Sequence, residues 1–136
     1  MFSTFFTNKI IIMETRAKAF FKEADKKFNL AKEELFKPSE DLVTFSVCKN
    51  SQFAVENYLK GFLAKNDVKI DLAETIDSLY KKCINIDNNF KNINFSVIAC
   101  KNKEISSRYC SEINAVNACF DVADAIDTYL KKIKAI

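Results

Sequence analysis

The sequence predicts an all-α fold, an antiparallel up-and-down bundle of four long or medium helices with one short extra helix. Three observations carry this. The 136 residues include one Gly and one Pro, and tight turns draw heavily on both, so the chain has few connections and long elements. Apolar residues recur at three- and four-residue steps through several long windows. The length suits one domain with one core.

Met13, Ala17, Phe20, Ala24, Phe28, Ala31 and Leu35 form the first such stripe, with Lys18, Lys22, Asp25, Lys32 and Glu33 on other faces. This is an amphipathic helix that stops at Lys37-Pro38, since the residue before proline is pushed out of helical geometry. Residues 1–12, MFSTFFTNKIII, are expected to be an extension or arm, with 13–136 as the domain; Met13 is a candidate natural start.

Ser39 is placed to cap the second helix, with Glu40 and Asp41 at its positive end. That helix is apolar over more than one side (Leu42, Phe45, Val55, Leu59 and Phe62; Val47, Ala54 and Tyr58), which predicts a central position. Lys49, Gln52, Glu56 and Lys60 form a polar stripe beside the apolar face, read as solvated with a Glu56–Lys60 pair. Gly61 inside the helix hints at close packing against a neighbour.

After an extended link, VKIDL, the segment AETIDSLYKKCINI gives a short amphipathic helix through Ile76, Leu79, Tyr80 and Cys83 or Ile84. A further helix is expected from about Asp87, through Phe90, Ile93 and Val97, although FSVIAC alone also reads as a strand. Residues 101–107 read as a loop. The last helix carries Ala115, Cys119, Val122, Ile126, Leu130 and Ile133 on one stripe, with Asp121, Asp124 and Asp127 away from it.

The balance of 21 basic and 18 acidic residues, net +3, is a mixed surface and not the footprint of a strong DNA binder; it permits RNA or nucleotide contact. With no histidine and five cysteines, none in a C-x-x-C pair, no metal site, cofactor or disulfide framework is expected. Reduced, mostly buried thiols in cytoplasm fit this composition. The apolar start is shorter than the roughly 20 residues a membrane span needs, and no membrane association is expected.

Three islands, in this order and spacing, resemble the HEPN family of small helical-bundle domains. The stretch 52–60, QFAVENYLK, is similar to the family's second-helix pattern of Gln, a small residue, Glu, then Leu-Lys. Thr75-Ile76-Asp77-Ser78-Leu79 resembles its Thr-His-Asp-x-Leu segment, and Ser107-Arg108-Tyr109 the Ser-Arg-Tyr that opens the last helix in one branch. The likeness covers about residues 15–133. It implies a homodimer, often beside a minimal nucleotidyltransferase in toxin–antitoxin pairs, and in many members metal-free RNA cleavage.

The chain departs from the RNase members, which carry a histidine four to six positions beyond the arginine. Ile113, Asn114 and Ala115 stand there instead, and Ile76 replaces the histidine of the middle island. Metal-free cleavage needs a group that moves a proton near the operating pH, and Asn114 does not. What remains suits an anion: the Arg108 fork, a following helix N-terminus, Tyr109 to stack on a base, and Glu56 or Asp77 to orient the guanidinium. A buried Arg108–Glu56 ion pair between helices reads the same way in sequence.

The expectation is therefore a non-catalytic, dimeric HEPN-like domain that binds a nucleotide, RNA or a partner protein. Arg108, Tyr109, Glu56, Lys60, Gln52, Asp77 and Asn114 form its cleft. The alternatives are a divergent metal-independent RNase and a purely structural or regulatory module.

Overall fold

A computed structural model describes the backbone of residues 2–38, 44–71, 73–95 and 113–136, and the side chains of 9–38, 46–71, 73–95 and 117–136. Its described elements are four α-helices and one 3₁₀ turn: α1 (Phe2–Leu35), α2 (Thr44–Lys65), α3 (Ile76–Ile86), η1 (Asn88–Asn92) and α4 (Ile113–Lys132). No strand occurs among the described residues.

The first helix runs unbroken through Met13, so residues 2–12 continue the helix of the stripe that starts there. Ile10, Ile11 and Ile12 belong to the same helix, although their side chains are 40%, 54% and 60% exposed. The buried face of α1 is Ala17, Phe21, Ala24, Phe28 and Ala31, so Phe21 is turned inward where the spacing predicts Phe20. Gly61 explains the choice. A Cβ there would lie 2.5 Å from Phe21 Cε1, so the ring occupies the space that glycine leaves on α2.

Helices α1 and α2 run in opposite directions: Lys9 pairs with Asp67 at 3.0 Å, and Lys27 Nζ lies 5.3 Å from the centre of the Phe53 ring. α2 and α4 run in the same direction, with Cys48 beside Cys119 and Lys65 bonded to the Ala135 carbonyl. As its two-sided apolar pattern predicts, α2 is central; Val47, Ala54, Val55, Leu59 and Leu63 are fully buried. Tyr58, also fully buried, sits between the carboxylates Asp25 of α1, at 2.7 Å, and Asp127 of α4, at 3.1 Å. Asp127 is thus buried at 7% exposure, against the expectation that it faces solvent. Burial, first, and then these two acidic neighbours hold the Tyr58 phenol far above its ordinary pKa.

Both α2 and α4 end in the same motif. Asp67 and Lys134 take left-handed backbone, φ 58° and 60°. Their N–H groups donate to Ala64 and Lys131, and the next residues, Val68 and Ala135, reach back to Leu63 and Leu130. Thr75 caps α3 by accepting from the Ser78 N–H at 3.1 Å. Glu74, just before the cap, accepts from Asp71 N and Ser78 Oγ and pairs with Lys82. Burial alone would raise its pKa, but these donors bring it below the usual carboxylate value.

Among the described residues, the helix expected from Asp87 is the five-residue turn η1. Asp87 is extended, φ −138°, and its side chain accepts from Asn89 N, a local bond that competes with helix propagation in an Asn-rich stretch. The turn is nevertheless fastened. Phe90 is fully buried, edge-on to Phe62 and Tyr129; the Tyr80 hydroxyl reaches the Phe90 and Ile93 carbonyls; and Tyr129 donates to Asp87. The Ser39 cap, the FSVIAC segment from residue 96 onward and the 101–107 loop lie outside the described residues. No described helix is long and apolar enough to cross a membrane.

Candidate functional site

The polar stripe on α2 is turned inward, contrary to its reading as a solvated face. Gln52 is 1% exposed and Glu56 6%. Because α2 and α4 run side by side, the small side chains of Cys48 and Cys119 leave room between the helices for the Gln52 amide. Gln52 Nε2 donates to Cys48 Sγ at 3.0 Å and points toward Cys119 Sγ at 3.9 Å. One turn on, Glu56 Oε1 meets Lys60 Nζ at 2.9 Å, with both side chains largely buried. Burial withdraws this pair from the screening that makes exposed ion pairs weak, so removing either partner is more disruptive than on a surface.

Lys49 is half-buried, with its ammonium 5.5 Å from the centre of the Phe53 ring; Lys27 of α1 lies 5.3 Å from the same ring. Two cations thus share one aromatic platform. Asp77 sits in the first turn of α3, where a carboxylate suits the helix dipole, and pairs with Lys81 at 3.1 Å. Its ion-pair partner among the described residues is therefore on its own helix and not in the Gln52–Glu56–Lys60 stripe.

Arg108 and Tyr109 lie outside the described residues. Asn114 falls in the first turn of α4, on described backbone. Of the seven residues of the expected cleft, the structure brings together Gln52, Glu56 and Lys60.

Cysteine usage departs from expectation at one position. Cys48 is disulfide-bonded, while Cys83 and Cys119 are buried thiols. The expectation of reduced thiols therefore does not hold at Cys48, since the absence of a C-x-x-C pair in the sequence does not exclude a disulfide. Burial pushes the Cys83 thiol well above its ordinary pKa, with Glu74 adding to the effect, and keeps it inert. Among the described residues, no group of three or more His, Cys, Asp or Glu side chains is arranged to hold a metal ion.

The site that sequence reasoning misses is the Asp25–Tyr58–Asp127 bracket. One phenolic proton serves two carboxylates there, which ties α1, α2 and α4 at one level. Asp127 also accepts from Lys131 at 3.0 Å, which supplies countercharge. The only signal in the sequence is a tyrosine on the apolar side of a central helix, since a buried phenol needs a partner.

The chain matches no family model, no curated protein and no solved structure.

Proposed function

We propose that this chain is a non-catalytic HEPN-like helical module, an antiparallel up-and-down bundle that dimerises and holds a nucleotide, an RNA or a partner protein, as one part of a toxin–antitoxin type pair. The observation that carries the reading is the inward-turned Gln52–Glu56–Lys60 stripe on the central helix. These residues, which the fold buries, lie in the stretch that resembles the family's second-helix pattern. A solvated stripe would have argued for plain surface; a buried carboxylate and ammonium beside a buried amide argue for a preorganised polar cleft.

Chemistry argues against proton-transfer catalysis. The chain has no histidine, and Asn114 stands where the resemblance places the proton carrier. In this proposal Arg108 supplies a planar fork to a phosphate, Glu56 orients it, and Tyr109 stacks on a base.

The test is titration of wild type, Arg108→Ala and Glu56→Gln with nucleotides and short RNA oligomers. Saturable binding by wild type that weakens in both variants is expected. If wild type binds none of these ligands, the ligand reading fails. Sedimentation of the wild type checks the dimer separately, and a strict monomer at high concentration would remove that part.

A further inference from the structure

A cavity of about 620 Å³ opens between α1, the end of α2 and the turn after α4, on different residues from the α2 stripe. Its floor is apolar, formed by Ala17, Phe21 and Ala135. Lys18, Lys22 and Lys134 stand around it, and none forms a salt bridge with a described residue. The volume lies inside the range of small-molecule sites, roughly 300–1,000 Å³.

Two features of this cation cluster are locally unfavourable. Lys18 and Lys22 are four apart on one helix, where like charges repel. Lys134 occupies left-handed backbone at φ 60°, a position that Gly or Asn fills without strain and that costs other residues roughly 1–2 kcal/mol. The wall it forms is held in place by Lys65, whose ammonium donates to the Ala135 carbonyl at 3.0 Å.

We propose that this cavity binds a small amphipathic monoanion, with the anionic head among Lys18, Lys22 and Lys134 and an apolar body against Ala17, Phe21 and Ala135. Opposing charges set the limit of one negative charge. Glu14 and Asp25 also line the cavity, and α2 and α4 both end beside it, so their negative dipole ends face the same space. With Lys65, which also lines the cavity, four ammonium groups face two carboxylates and two helix ends of about −0.5 charge each, which leaves a modest positive excess. That excess favours a carboxylate or sulfonate with an apolar tail over a polyphosphate, and the lysines turn away cations.

Calorimetric titration of the full chain with octanoate, 1-octanol and acetate tests this. Octanoate is expected to bind once per chain, and more weakly at high salt. Octanol, which lacks the charge, and acetate, which lacks the tail, should each bind at least tenfold more weakly. Exposed cation–anion contacts of this kind are worth a few-fold each, so the double reversal Lys18→Glu with Lys22→Glu should weaken octanoate by about tenfold. Lys134→Gly, which relieves the strained backbone and so cannot act by unfolding, should weaken it by roughly two- to fivefold. Lys26→Glu with Lys32→Glu, elsewhere on α1, should change nothing. No saturable octanoate binding, equal binding of octanol, or equal losses in the Lys26/Lys32 variant would each overturn the proposal.

Discussion

Replacing Tyr58 by Phe removes one oxygen from the centre of the bundle and leaves the ring's packing intact. The hydroxyl is fully buried, 2.7 Å from Asp25 and 3.1 Å from Asp127. A hydrogen bond to a charged group contributes about 1.5–3 kcal/mol net. Asp25 is exposed and regains water in the variant, whereas Asp127 is 7% exposed and keeps only Lys131 among its described partners. The expected loss is therefore about 2–3 kcal/mol, set mainly by Asp127. With a urea m-value of about 1.5–2 kcal/mol/M, the midpoint should fall by roughly 1–2 M with m unchanged.

The same phenol makes the loss pH-dependent. Its folded pKa is raised above the unfolded value near 10, so its contribution is complete below pH 10 and declines by about 1.4 kcal/mol per unit above it. The gap between wild type and variant should close as pH rises past 10. Urea unfolding of wild type, Tyr58→Phe, Asp127→Asn and the double variant, at neutral and alkaline pH, reads both effects. A single-variant loss under about 0.5 kcal/mol, or losses that simply add in the double variant, would refute the bracket.

Three further outcomes rest on the packing. Gly61→Ala gains about 1 kcal/mol of helix propensity but drives a Cβ to 2.5 Å from Phe21; overpacking of roughly 1–3 kcal/mol should leave it neutral to destabilised, read by thermal melting. Thr75→Ala removes the acceptor for Ser78 N and should cost about 1 kcal/mol in urea unfolding. Tyr80 and Tyr129 also have raised pKa values, chiefly through burial. Tyrosinate absorbance of the native protein should therefore lag behind that of the unfolded chain, and stability should fall as pH climbs above 10.

Local signals in the sequence are reliable where one segment decides the outcome. The two-sided pattern makes α2 central, and Gly61 marks a close approach. Errors arise where a partner distant in the chain decides. Helical periodicity assigns Asp127 to solvent because it weighs only one helix, and the Tyr58 hydroxyl that buries it is 69 residues away. Gln52 and Glu56 are misplaced for the same reason. Helix α1 continues through Met13 because no proline or glycine stands between Phe2 and Leu35 to stop it. In the candidate site, Gln52, Glu56 and Lys60 come together as a stripe because they share a helix, while Asp77 finds its partner on α3.

The central claim is that the site holds and does not cut. Labelled RNA incubated with purified protein in EDTA from pH 5 to 9, then resolved on native and denaturing gels, tests it most directly. Full-length RNA is expected at every pH. RNA cleavage that disappears in Glu56→Gln or Arg108→Ala would contradict it.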